Sequence, residues 1–343
     1  MKLRPTVFLG EMVGYHYFKG DIRHFSETFI WDLDKTYLDT RIDSLSGLLH
    51  AFIERSWSKK NIPASNTLIL RLQTRYLEEK GVQQFPIFFI TASPHQMEER
   101  IREKLEYDGI RPIGCYFKNN AANLTPNRWG RLRRHIGYKL SALIYLRSQL
   151  GEHTQQTLWG DDSESDAVIY NLYSDICAQR VSDEELELIL KKFSVAPETI
   201  AFILDQRKAL PKNDPVRKIY INLAIDTDPD YYLKFGRRTI PTYNSFQIAL
   251  DLFQDKKLLL DDVFTVYDEM HAHYGFTHEE LVRSFLEFVK RGRLNEETQK
   301  IVLKSLIDKS IIKYVDLDSF RPPPFVDPWT VDQIDYLNEH RSY

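Results

Sequence analysis

Blocks of apolar residues recur along the first two thirds of the chain, and each closes on a polar residue. Residues 28–33, Thr-Phe-Ile-Trp-Asp-Leu, run into an acid, and residues 85–91, Phe-Pro-Ile-Phe-Phe-Ile-Thr, run into a hydroxyl. Residues 155–160 stop at Gly160-Asp161-Asp162, and residues 216–224 make a fourth run. Short runs of this kind read as buried strands. Between them lie segments with apolar side chains at helical spacing. Residues 42–57 carry Ile42, Leu45, Leu48, Leu49, Phe52 and Ile53, and further segments cover 66–80, 94–107, 138–149 and 164–176. Ser93 followed by Pro94 is the expected start of the 94–107 helix. Strands alternating with helices predict an α/β fold with a parallel sheet, and polar strand ends predict a ligand crevice at its carboxyl edge.

After about residue 235 the pattern changes. Strand-like runs give way to helical ones at about 243–255, 260–273, 277–291 and 295–310, and Arg321-Pro322-Pro323-Pro324 breaks regular structure. The expected division is a core over 1–235, with a small helical insert at about 40–82, and a helical accessory domain over 236–343. A length of 343 residues agrees with about two domains.

Composition narrows the class. Lys plus Arg is 46, Asp plus Glu is 49, and the net charge is −3, which argues against a generic nucleic-acid coat. With 43% hydrophobic and 13% aromatic residues there is ample surface to bury, so disorder is not expected. Cys115 and Cys177 cannot form a metal cage alone and read as two reduced thiols. No apolar run approaches the roughly 18–20 residues of a membrane span. Met1-Lys2-Leu3-Arg4-Pro5 lacks the core of a signal peptide, so a reducing, cytoplasmic setting is expected.

The chemistry gathers at the strand ends. Asp32-Leu33-Asp34-Lys35-Thr36 closes the first strand. Two acids one residue apart face the same side of an extended chain, and they repel unless a cation or proton lies between them. Thr91 ends the second strand in Ile90-Thr91-Ala92-Ser93-Pro94. Lys139 follows Gly137-Tyr138, and Asp161-Asp162 end the third strand with Asp166 one turn on. Singly, these have plainer accounts: a solvated strand end, a surface lysine, or acids favouring the start of the next helix. Together and in order they make an active-site constellation.

This order resembles the haloacid dehalogenase-like phosphatase superfamily, whose motifs are Asp-x-Asp-x-Thr, a Ser or Thr, a Lys and an acidic pair. The narrower likeness is to the phosphatidate phosphatase catalytic domain of the fungal actin-patch type. Ile90-Thr91-Ala92-Ser93-Pro94 is similar to its Ser-x-Ser-Pro segment. Gly160-Asp161-Asp162-Ser163-Glu164-Ser165-Asp166, followed by Ile169-Tyr170, is similar to its Gly-Asp-x4-Asp-x2-Ile-Tyr signature. The likeness covers about 28–225. Lys35 stands where that group has a third acid, and segment 177–212 is longer than expected. The resemblance implies a Rossmann-like core with a small cap. It implies Asp32 as nucleophile, Asp34 as general acid and base, and Thr91 and Lys139 as phosphate-binding groups. It implies Mg²⁺ held by Asp32, the Asp34 carbonyl and Asp161, with Asp162 or Asp166 completing the set and the spacing favouring Asp166. The expected activity is phosphomonoester hydrolysis through an aspartyl-phosphate, with phosphatidate or another lipid phosphate placed first as substrate. The alternatives are a phosphatase for nucleic-acid ends or phosphoprotein, and a scaffold with a vestigial core.

Further signals remain. Arg128, Arg131, Arg133, Arg134 and His135 lie just before Lys139, and Arg133 and Arg134 with Ser93 are candidate substrate contacts; a solvated helix face is the alternative. The aromatic segment 11–18 reads as packing on the core edge, with peripheral membrane or acyl-chain contact as the alternative. His271 and His273, two apart, do not share a helix face. Asp226-Thr227-Asp228-Pro229-Asp230 lacks the Gly and Glu of an EF-hand and reads as a polar turn. There is no Walker-type loop.

Overall fold

The apolar runs become neighbouring strands, and the amphipathic segments between them become helices. The computed structural model describes residues 4–39, 61–119, 129–163, 165–313, 331 and 333–338. The helix expected at 42–57 and the Arg-Pro-Pro-Pro segment lie outside the described residues. In chain order the elements begin with β1 (Val7–Leu9), β2 (Met12–His16), β3 (Glu27–Asp32), α1 (Ser65–Lys80) and β4 (Ile87–Pro94). They continue with α2 (Glu98–Tyr107), β5 (Gly114–Lys118), α3 (Trp129–Gln149), β6 (Gln155–Asp161) and α4 (Asp166–Ala178). Next come α5 (Asp183–Lys192), α6 (Pro197–Lys208), β7 (Val216–Asn222) and β8 (Thr239–Thr242). The last are α7 (Ser245–Gln254), α8 (Leu260–Tyr274), α9 (His278–Lys290) and α10 (Glu296–Asp308).

The strands form one eight-stranded, mostly parallel sheet in the order β1-β2-β5-β4-β3-β6-β7-β8. β3 pairs parallel with both β4 and β6, β4 with β5, and β6 with β7. The chain builds outward from β3 through β4 to β5, then returns to the other side of β3 with β6 and β7. The strand order therefore reverses between β3 and β6, where an open α/β sheet leaves a crevice at its carboxyl edge. Asp32 and Asp161 end these two strands.

Segment 11–18 contains β2, antiparallel to β5, with Met12 and Val13 fully buried. Those side chains are core, which leaves them unavailable to a membrane surface. β1, β2 and β5 carry no sequence signal comparable to β3, because they are short and interrupted by Gly14 or opened by Gly114. The long segment 177–212 holds α5 and α6; Ser182 caps α5 by accepting from the Glu185 N–H at 3.1 Å.

The chain divides into two compact units. One contains 1–59, 86–241 and 328–343; the other contains 60–85 and 242–327. The helix at 65–80, expected as an insert of the core, thus groups with the C-terminal helices. Its stripe of Leu68, Ile69, Leu72 and Tyr76 is buried, and its Arg75 makes a bidentate pair with Asp262 of α8 at 2.7 and 3.1 Å. Asp262 is 2% exposed and also accepts from the Leu259 N–H at the start of α8, at 2.9 Å. Among the described residues no helix is long and apolar enough to cross a membrane.

Candidate active site

β3 delivers Asp32 into the interior, 1% exposed. Beyond it the chain turns at once. Lys35 adopts φ 59°, its N–H donates to the Leu38 carbonyl at 2.8 Å, and the Leu38 N–H donates to Leu33 at 2.9 Å. The turn sends Thr36 back, and its hydroxyl donates to Asp32 Oδ2 at 3.3 Å. The same turn puts Asp34 beyond the strand end, outside the alternation of an extended chain. Asp34 is half-buried and accepts from the Thr91 hydroxyl at 2.9 Å and the Ser93 hydroxyl at 3.3 Å. The alternation rule ends with the strand, at Asp32.

Ser93 is not a helix cap. β4 runs on to Pro94, and its register against β5 shifts between Thr91 and Pro94. A bulge of this kind re-aims side chains, and here both hydroxyls point at Asp34. The Ser93 N–H donates to Thr91 Oγ1 at 3.0 Å. A short 3₁₀ turn over His95–Met97 then precedes α2.

α3 brings Lys139 beneath the strand ends. It is fully buried, with Nζ 2.8 Å from Asp32 Oδ1 and 2.6 Å from Asp166 Oδ1. The preceding Tyr138 places its hydroxyl 2.6 Å from the Thr91 carbonyl and 2.7 Å from the Tyr116 carbonyl. That contact ties α3 to the ends of β4 and β5. Tyr138 carried no signal beyond its place next to Lys139.

β6 ends at Asp161, 2% exposed, whose Oδ1 accepts from the Ser163 N–H and hydroxyl, both at 2.5 Å. The Asp161 N–H donates to Asp166 Oδ2 at 3.3 Å, and Asp166 opens α4 in full burial. This closeness depends on Gly160. A Cβ there would lie 2.4 Å from Asp166 Oδ2 and 2.6 Å from Asp166 Cβ. Asp162 turns the other way: its carboxylate accepts from the Ala224 N–H at 3.0 Å and from the Thr227 hydroxyl. Of the two acids left open by the motif, Asp166 joins the cluster and Asp162 holds the loop after β7.

Asp32, Asp161 and Asp166 each offer a carboxylate oxygen, and these lie within 4.8 Å of one another. Lys139 pairs with Asp32 and Asp166, and Asp161 adds a third carboxylate; the group carries a formal excess of two negative charges, which a divalent cation would balance. An all-oxygen donor set suits a hard cation such as Mg²⁺. No second group of three metal-ligating side chains occurs among the described residues. The acids are also felt nearby. Burial first, and then the charges of Asp166 and Asp32, push the Tyr170 phenol well above its ordinary pKa, so it stays a donor to the Trp159 carbonyl at 3.1 Å.

The other sequence candidates lie elsewhere. Arg128 and the side chains of Arg131, Arg133 and Arg134 fall outside the described residues. His271 Nδ1 is 2.6 Å from the Phe276 carbonyl and its ring stacks on His278, whereas His273 is 3.8 Å from Glu269. In the Asp226–Asp230 segment, Asp228 accepts from the Asp230 N–H at 2.9 Å as a turn cap. Cys115 and Cys177 are free and buried.

Comparison of the chain with protein-family models, with curated proteins and with solved structures gave no match.

Proposed function

We propose that this chain is a Mg²⁺-dependent phosphomonoester hydrolase whose nucleophile is Asp32. One observation carries the reading. Lys139 bridges Asp32 and Asp166 in the interior of a sheet whose strand order reverses at that point, with Thr91, Asp34 and Asp161 arriving from separate segments. A structural ion pair needs only one carboxylate. Two acids on one buried lysine, with the buried Asp161 within 4.8 Å of both, cost desolvation that a fold alone does not require.

The chemistry follows from the side chains. An Asp32 carboxylate oxygen forms a bond to phosphorus as the bond from phosphorus to the ester oxygen breaks, leaving an aspartyl-phosphate. Asp34 gives a proton to the departing alkoxide, then takes one from the water that hydrolyses the aspartyl-phosphate. Lys139 offsets the charge of Asp32 against an incoming phosphate dianion. The Thr91 and Ser93 hydroxyls donate to Asp34 in this structure and would turn to the phosphate oxygens when substrate enters. Asp32, Asp161 and Asp166 would hold Mg²⁺, which supplies positive charge to the phosphate oxygens. Phosphatidate or another lipid phosphate heads the substrates to be tried, on the motif resemblance. Nucleic-acid ends and phosphoproteins follow.

The test is hydrolysis of p-nitrophenyl phosphate with Mg²⁺ and with EDTA, followed by profiling across phosphomonoesters. Mg²⁺-dependent turnover that falls at least about a hundredfold in Asp32→Asn is expected. No turnover of any phosphomonoester would leave a non-catalytic scaffold as the reading.

A further inference from the structure

Asn222 ends β7 and reaches across to the turn that follows the nucleophile. Its side-chain amide donates to the Lys35 carbonyl at 3.1 Å. Its own carbonyl accepts from the Asp162 N–H at 3.0 Å. The Asp162 carboxylate holds the next stretch of chain, through Ala224 and Thr227. The strand end that carries Asn222 is therefore pinned on both sides before it touches Lys35.

Lys35 needs such a partner. Its φ of 59° lies in the left-handed region, which costs a residue with a Cβ about 1 kcal/mol. A conformation of that kind persists where the surroundings over-determine it. Three backbone bonds close the inner side of the turn, from the Lys35 N–H to Leu38 and from the Tyr37 and Leu38 N–H groups to Leu33. Asn222 holds the outer side, at the carbonyl. Asp34 and Thr36 flank Lys35, so the turn sets where the Asp34 carboxylate stands relative to Thr91 and where the Thr36 hydroxyl meets Asp32.

We infer that Asn222 is a positioning residue: it clamps the left-handed turn at Lys35 and so fixes the Asp34 carboxylate beside the Thr91 and Ser93 hydroxyls. The inference rests on the proposed role of Asp34 as general acid. Asn222 acts through Lys35 and need not touch the substrate. Without the amide, Lys35 relaxes toward negative φ and carries Asp34 away from its place.

A general acid matters most when the leaving group is poor. An alkyl phosphate needs a proton delivered to its alkoxide; p-nitrophenolate leaves almost without one. The experiment compares the full chain with Asn222→Ala, Asn222→Asp, Lys35→Gly and the Asn222→Ala/Lys35→Gly double variant. Each is assayed with Mg²⁺ on p-nitrophenyl phosphate and on an alkyl phosphate, and each is unfolded in urea without substrate. Asn222→Asp keeps the shape of the side chain and removes the donor. The expected result is a kcat/KM on the alkyl phosphate lowered about tenfold or more in both Asn222 variants, with a smaller loss of kcat/KM on p-nitrophenyl phosphate. Glycine at 35 removes the conformational cost, so the double variant recovers most of the lost kcat/KM, and the urea midpoint lost in Asn222→Ala shrinks in the Lys35→Gly background. Equal losses on the two esters, or no recovery by Lys35→Gly, overturn the inference while leaving the phosphatase reading intact. A wild type that turns over neither ester overturns both.

Discussion

The ammonium of Lys139 lies 2.8 Å from Asp32 and 2.6 Å from Asp166, and all three groups are shut away from solvent. Neither acid is its neighbour in sequence. A buried ammonium shared by two carboxylates is stable only while both partners remain, since removing one leaves charge without compensation. Lys139→Met therefore destabilises the chain by about 3–5 kcal/mol in urea unfolding, and under the proposed function it abolishes turnover. Mg²⁺ restores part of the lost stability, because a divalent cation can take over charge that the ammonium balanced. A variant as stable as the wild type would contradict this account of the site.

Asp162 and Asp166 separate by role. At the proposed Mg²⁺ site, Asp166→Asn removes one negative charge from the cluster and weakens Mg²⁺ binding at least about tenfold by titration calorimetry. Asp162→Asn leaves Mg²⁺ affinity close to wild type, because that carboxylate faces Ala224 and Thr227. Its effect is a lower melting temperature and faster proteolysis at the loop after β7. The reverse pattern would mean that Asp162 is the metal ligand.

Gly160→Ala tests the close approach of β6 to α4. The new methyl meets Asp166 at its Cβ as well as its carboxylate, so rotating the side chain does not relieve the contact. Overpacking of this kind costs about 1–3 kcal/mol. Mg²⁺ affinity falls with it, because the displaced residue is one of the three acids. Calorimetry and a melting curve on the same sample report both effects.

Asp214 links stability to acid. Burial opposes its charge, but Arg238 at 2.6 Å, the Ser174 hydroxyl, the Val216 N–H and Arg180 outweigh burial and hold the carboxyl below its ordinary value of 3.8. A lowered native pKa contributes stability that is fully present above the unfolded value and is lost as pH falls through the native one. Asp214→Asn is therefore less stable than wild type at pH 7, and the difference shrinks as pH is taken below about 4. Urea midpoints from pH 7 down to pH 3 measure it; a difference that grows at low pH would refute the assignment.

Cys115 and Cys177 are both pushed up to about 12, chiefly by burial. Thiols held protonated and enclosed react slowly. Iodoacetamide at pH 8 should modify neither in the native chain and both after denaturation, by mass spectrometry. Fast native labelling would show that the strands or helices carrying them open.

Much of this architecture was legible from residue order alone. β3, β6, β7 and most helices were readable because each carries its own apolar period, and a buried face imposes that period locally. The polar residues closing those strands were readable for the same reason, since a run that stops at Asp32 or Asp161 marks a strand end. The motif order singled out Asp32, Lys139, Asp161 and Asp166, which the structure brings together. Tertiary structure alone decided the rest. It decided that Asp34 faces Thr91 and Ser93, because a left-handed residue after the strand ends its alternation. Asp166 joins Asp32, and Asp162 does not, because Gly160 lets α4 approach β6. Tyr138 and Asn222 serve the site through backbone carbonyls, and a bond to a carbonyl leaves no mark on the identity of the residue that accepts it. The helix at 65–80 groups with the C-terminal helices because Arg75 meets Asp262, a pairing across 187 positions that no local pattern encodes.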